Sequence, residues 1–234
     1  QHGTATNNAG KLIEVLDNSA NSVTVAMAAN GAAAATSATI TNKGNIKVYG
    51  DAIGMNVGGY STGTNTGTIK VKGHQDNSAT DKDYNGSLGF YGEKGTFTNR
   101  GTIEASGKIA HAVVAKTSDM IFNHYGTIEV SSPSDNRGNI AVYSDGFSKV
   151  NFYNNSKVYV GDYSVGVHSA NKDKFNDTFK NYTFEFRNIK YKNRQRINIC
   201  IFRRRCNNNS KRIFWRFKSK FRRRNGRKLK CSIC

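Results

Sequence analysis

The fold is decided by Asn42-Lys43-Gly44-Asn45-Ile46-Lys47-Val48, because the stretch recurs. It returns as Asn65-Thr66-Gly67-Thr68-Ile69-Lys70-Val71 and as Asn99-Arg100-Gly101-Thr102-Ile103-Glu104-Ala105. A fourth copy, Asn123-His124-Tyr125-Gly126-Thr127-Ile128-Glu129-Val130, carries one extra residue. A fifth, Asn154-Asn155-Ser156-Lys157-Val158-Tyr159-Val160, has Ser in place of Gly. Each copy reads as a corner followed by a short strand. Asn and Gly are the residues that accept positive φ at a tight turn. The apolar residues two apart then share one face, with Lys, Glu or Thr on the other.

From Ile46 the equivalents fall at Ile69, Ile103, Ile128 and Val158, so the steps are 23, 34, 25 and 30 residues. A propeller blade needs four paired strands, which a 23-residue step barely holds. A solenoid tolerates unequal steps, since an insertion bulges from a corner and leaves the stack intact. The pattern therefore predicts an all-β chain, a right-handed parallel β-helix (β-solenoid) of about five coils with an irregular basic tail. Each coil takes a first strand such as Thr39-Ile40-Thr41 or Thr96-Phe97-Thr98, then the corner, then the Ile-x-Val strand. A third strand follows, as in Ser87-Leu88-Gly89-Phe90 or Asn139-Ile140-Ala141-Val142, with a small residue where the backbone bends or is approached closely. The register predicts an interior ladder of Ile46, Ile69, Ile103, Ile128 and Val158. A polar ladder of Asn42, Asn65, Asn99, Asn123 and Asn154 is expected at one corner.

Three regions follow. Residues 1–36 read as an irregular or partial first coil, with Leu12–Leu16 either strand or short helix and Gly31–Ala35 a tight corner. Residues 37–170 are the solenoid. Residues 171–234 are a different kind of sequence. The whole-chain charge is +19, yet residues 1–170 hold 13 Lys/Arg and 13 Asp/Glu, and residues 171–234 hold 22 and 3. All four Cys and the Trp lie after 170, and 22 of the 23 Gly lie before 171. Taken as protein, the tail is a basic, low-order arm. Its Lys, Arg, Asn, Phe and Ile are also what A- and T-rich codons supply in any frame. Slid forward by one nucleotide, with suitable synonymous codons, Ile197–Asn209 becomes glycine-turn, alternating sequence of the upstream kind. The tail is thus expected to be out of frame, with a frameshift near residues 171–176. The chain opens on Gln1 with no basic and apolar run of a signal peptide, which reads as a fragment or a processed product.

The repeated Asn-x-Gly-Thr-Ile-x-Val units and their Gly-centred third strands resemble the passenger segments of fusobacterial-type autotransporters (type V secretion), over roughly residues 37–170. The resemblance implies a Gram-negative surface protein exported through an outer-membrane barrel, a barrel that this stretch does not include. It implies a cell-surface or extracellular location and adhesion to a host-cell or bacterial surface ligand. The lack of Cys in 1–170 agrees with it. The expectation is a structural and adhesive stalk with no catalytic site and no cofactor.

Other chemistry competes with this reading. Asp81, Asp83 and Asn85, with Gly86 and Leu88, match the opening of a calcium loop, whose alternating oxygens wrap the ion. The closing Glu should stand at 92, which is Gly, and Glu93 is one late; the plain alternative is a polar insertion. Cys231-x-x-Cys234 lacks a second close pair, because Cys200 and Cys206 are wide apart and no His follows His168, so zinc is not expected. A polysaccharide lyase or glycosidase on this fold needs paired carboxylates. Glu104 and Glu129 share an outward column, but Lys47 and Lys70 share it too. His74, His111, His124 and His168 show no common register. No strand-to-helix phosphate loop is present. A third reading, a nucleic-acid or anionic-membrane binder, rests wholly on the tail (Arg203–Arg205, Trp215, Arg222–Arg224). The sequons at Asn154 and Asn181 matter only in a eukaryotic secretory setting. Binding is expected to use the inserted loops 73–86 and 131–138.

Overall fold

The computed structural model describes residues 3–17, 23–73, 86–117, 119–132, 139–145, 148–153, 155–161 and 164–169. Coil 1 is β1 (Gly3–Asn7), β2 (Leu12–Asp17) and β3 (Val25–Gly31). Coil 2 is β4 (Ala38–Asn42), β5 (Asn45–Gly50) and β6 (Ile53–Gly59). Coil 3 is β7 (Thr62–Asn65), β8 (Thr68–Lys72) and β9 (Ser87–Gly92). Coil 4 is β10 (Gly95–Asn99), β11 (Thr102–Ser106) and β12 (Ala110–Ala115). Coil 5 is β13 (Met120–His124), β14 (Thr127–Ser131) and β15 (Asn139–Ser144). Coil 6 is β16 (Lys149–Phe152), β17 (Lys157–Val160) and β18 (Ser164–Ser169).

The first strands of successive coils pair in parallel as sheet A, β1-β4-β7-β10-β13-β16. The second strands form sheet B and the third strands sheet C, each also of six strands. This is a parallel β-helix. Six coils lie among the described residues, one more than expected. The difference lies in residues 1–36, which hold a full coil rather than a partial one. Leu12–Asp17 is a strand, not a helical piece, because Ile13-Glu14-Val15 pairs residue for residue with Ile46-Lys47-Val48. The small-residue run ends in a single 3-10 turn at Ala34–Thr36, closed by the Thr36 hydroxyl donating to Ala33 O.

The predicted ladder is present. Ile13, Ile46, Ile69, Ile103, Ile128 and Val158 stack in register inside sheet B. Four of them, Ile46, Ile69, Ile103 and Ile128, have no exposed surface. Each such side chain contributes about 2 kcal/mol relative to exposure. Sheet A turns Ala5, Ile40, Gly63, Phe97, Phe122 and Val150 inward. Gly63 makes room for the ring beside it: a Cβ there would sit 3.0 Å from Phe97 Cδ2 and 2.7 Å from Val57. The Phe97 ring lies flat against Phe90, 3.8 Å between centroids and 4° between planes.

Sheet C departs from the simple alternation. Its strands bend at the small residue, and Gly54, Gly89, Ala112 and Ala141 face in together with the next residue along. The flanking columns collect in a second apolar cluster of Ile53, Leu88, Val114, Ile140 and Tyr143, all buried. Both sides of this sheet are therefore apolar.

The corner between sheets A and B corrects the expected role of glycine. None of Gly44, Gly67, Gly101 and Gly126 has positive φ. What excludes a side chain is the coil before. A Cβ on Gly67 would lie 2.0 Å from Gly44 O, on Gly101 2.0 Å from Gly67 O, and on Gly126 2.1 Å from Gly101 O. The same oxygens accept the next amide: Thr68 N donates to Gly44 O at 2.9 Å and Thr102 N to Gly67 O at 3.0 Å. Gly101→Ala must then push two coils apart at a hydrogen-bonded contact. We expect it to cost about 2–3 kcal/mol, an overpacking penalty, read as a lowered urea midpoint. Gly10→Ala is the comparison at the other kind of position. Gly10 has φ +75 with nothing within 4 Å of a Cβ, so its cost is confined to about 1 kcal/mol of backbone strain.

Candidate functional surface

Beneath the glycine corner runs a buried chain of amides. Asn7 Nδ2 donates to Asn42 Oδ1, Asn42 Nδ2 to Asn65 Oδ1, and Asn65 Nδ2 to Asn99 Oδ1, each at 2.8 Å. Asn42, Asn65 and Asn99 have no exposed surface. Their spare N–H bonds turn to the strand beyond the corner, as Asn7 Nδ2 does to Asn45 O at 3.1 Å. Asn suits the position because its amide gives to one neighbour through N–H and receives from the other through its oxygen.

The next member is not the expected Asn123. His124 pairs with Asn99, and its ring is fully buried. The extra residue of the fourth copy sits before the Tyr-Gly corner and moves the inward position by one. Aligning that copy on Gly126-Thr127 rather than on its Asn would have placed His124 here. Asn123 turns outward, where Asn151 Nδ2 donates to its Oδ1 at 2.8 Å. In coil 6 the position is Phe152. Asn154, the last predicted member, lies outside the described residues.

The surroundings of His124 define its charge state. Asn99 Nδ2 donates to His124 Nδ1 (3.2 Å), and His124 Nε2 faces the Lys157 carbonyl at 3.1 Å. A carbonyl only accepts, so Nε2 carries the proton and Nδ1 is bare. Phe122 and Phe152 flank the ring, with centroids 5.9 and 5.6 Å away. Burial in this setting pushes the His124 pKa down to about 4, against a smaller upward pull from the Lys157 carbonyl. His111, on sheet C, accepts from Ile140 N at 3.1 Å. Burial, and next the charge of His168, lower it to about 4 as well. His74 lies outside the described residues.

Outside sheet B runs the charged column Glu14, Lys47, Lys70, Glu104, Glu129, Tyr159. Glu104 and Glu129 are neighbours in register, as their spacing implied. Glu104 is engaged by Lys70 at 3.1 Å, and Glu14 by Lys47 at 3.6 Å, with all four side chains substantially exposed. Such pairs hold little energy. Lys70→Ala is expected to change unfolding stability by less than about 0.5 kcal/mol, checked by denaturant titration at low and high salt.

Rings line two corners. At the one between sheets A and B, Tyr125 and Tyr153 stack at 4.1 Å and 7°, with Arg100 over the free face of Tyr125 at 4.2 Å. The hydrogen bond with Tyr153 holds the Tyr125 phenol above its ordinary range. Between sheets C and A, Lys94 lies over Tyr60 and Lys116 over Tyr91. Burial first, then the hydrogen bond to Glu93, raises the Tyr91 phenol. Thr117 holds a left-handed φ of 70 there, with its amide on Asp145 Oδ2 and its hydroxyl on Glu93 O. That is costly backbone for a β-branched residue.

The calcium-loop residues Asp81, Asp83 and Asn85 lie outside the described residues, as do the four Cys and the basic tail. Among the described residues no group of three or more His, Cys, Asp or Glu is placed to hold a metal ion. No described helix is long and apolar enough to cross a membrane, which says nothing of a β-barrel. No protein family, curated protein or solved structure matches this chain.

Proposed function

We propose that this solenoid is the stalk of a surface-exposed autotransporter passenger, structural and adhesive, located at the cell surface or outside it. The observation that carries the reading is how the side chains are used. Column by column, interior residues serve stacking from one coil to the next, and the outer column of sheet B is mixed charge of shallow energetic value. Specific binding on such a rod belongs to chain inserted between strands, at 73–86 and 131–138. The partner class is a ligand on a host-cell or bacterial surface.

The test is adhesion. Beads coated with the chain should bind epithelial or bacterial cells saturably. Replacing residues 74–85 and 133–138 by Gly-Ser linkers of equal length should abolish binding and leave the β-sheet circular dichroism unchanged. Adhesion that survives both replacements moves the binding surface onto the sheets. Cleavage of a pectin-like polymer, lost in Glu104→Gln or Glu129→Gln, would replace this reading by that of a polysaccharide-active enzyme.

A further inference from the structure

The amide chain has a direction, and it does not end where the coils do. The Oδ1 atoms of Asn42, Asn65 and Asn99 each receive from the coil on their N-terminal side. Asn7 is the first member. It is only 6 % exposed, its Nδ2 is committed to Asn42 and Asn45, and among the described residues nothing donates to its Oδ1. A buried amide oxygen without a donor is a costly arrangement that native proteins satisfy. The interior column of sheet A is unfinished at the same end. Ala5 is exposed, while Ile40, Phe97 and Phe122 in that column are buried.

We propose that the N-terminal end of the solenoid is a docking surface for one further coil of this repeat chemistry. The partner is a strand that ends in Asn, pairs in parallel with β1, and donates its amide N–H to Asn7 Oδ1. The described coils of a second copy do not supply it. Head to tail, the last described coil of a copy would bring the Phe152 ring to Asn7, and a ring has no donor. Head to head, two amide oxygens would meet. The corner of coil 1 also fits a stacked neighbour. Lys11 stands in the glycine column, paired with Gly44 through Asn45 N to Lys11 O at 2.8 Å, where a narrow corner would exclude its side chain. Coil 6 shows how a non-glycine residue is accepted there. Ser156 stacks on Gly126 after a corner wider by two residues, and Lys157 N still reaches Gly126 O at 2.9 Å. The corner from Asn7 to Leu12 has that same width.

The experiment is to join a copy of residues 38–60 directly to Gly3, replacing Gln1 and His2. The pairing of Gly3 with Ala38 in coil 2 sets the register that puts the copied Asn42 over Asn7. Amide hydrogen exchange is then followed at Gly3–Asn7 and Leu12–Asp17. Protection should rise about tenfold or more over the parent chain, and most of the gain should vanish with Asn42→Asp or Asn42→Leu in the copied segment, since neither donates. Equal protection by the Leu and Asn segments, or none by either, overturns the proposal. So does protection of the same amides in the parent chain as its own concentration is raised, which would make a second copy the occupant.

Discussion

Phe97→Ala is expected to produce the largest single-site loss of stability in this chain, about 3–5 kcal/mol. Its ring is fully buried and stacks flat on Phe90 and, at 5.8 Å, against Phe122. It also fills the gap left by Gly63, which pairs with it in the same inward column of sheet A. Truncation therefore opens a cavity spanning coils 3, 4 and 5, and neighbouring backbone is held in register by three sheets and cannot collapse into it. A whole domain has only about 5–15 kcal/mol to lose. Since each coil touches only its neighbours, the damage should also divide the stack. The expected urea titration shows two transitions in place of one. A single transition with a loss below about 1 kcal/mol would show that the rings are not the centre of the core.

The second large effect is with pH. His124 has an ordinary value of 6.5 and a native value of about 4. Below pH 6.5 the unfolded chain takes up a proton that the native chain refuses, so stability is full above that pH and falls as pH drops toward 4. The loss is up to about 3 kcal/mol for this residue, because each tenfold difference in proton affinity between the two states corresponds to about 1.4 kcal/mol. Protonating Nδ1 would set a donor against the Asn99 amide, in a site walled by Phe122 and Phe152. His111 moves in the same direction over the same window, so the parent chain should lose stability with a slope approaching two protons. His124→Asn should reduce that slope by about one proton, at some cost near pH 7 from the lost ring. Guanidinium titrations between pH 7 and 4 give the slope directly. An unchanged slope would mean that His124 is accessible to protons in the folded chain.

The reach of the sequence differed from sheet to sheet, for physical reasons. Sheet B was legible because Ile-x-Val is an alternation with a corner marker in front, and a two-residue period admits only one register. Coil 1 was less so. Its corner, Asn8-Ala9-Gly10-Lys11, is two residues longer than Lys43-Gly44 and hides the match of Ile13-Glu14-Val15 to the repeat. The glycines stand out in the sequence, but for a different cause than a tight turn. Their positions are set by the carbonyl of the coil before, a contact 23 to 34 residues away, and a long-range contact leaves no local trace beyond the glycine itself. The inward turn of His124 was concealed by one inserted residue. The second apolar cluster on sheet C follows from a bend at Gly89 and its equivalents, which breaks strict alternation in the middle of a strand. The candidate calcium and loop residues were legible as motifs, yet they belong to chain outside the described strands.

The parallel stacking of the coils has a mechanical consequence when the solenoid is put under tension. The hydrogen bonds between coils lie along the rod, so a pull on its ends loads them one interface at a time, beginning with the outermost coil. A seated coil occupies about 4.8 Å of rod length. Released, the 23 residues between Ile46 and Ile69 extend to about 80 Å. Each coil that peels away lets the tether lengthen more than tenfold at that point while the coils behind it stay intact, so a sharp tug is met by stepwise yielding rather than by rupture of the whole rod.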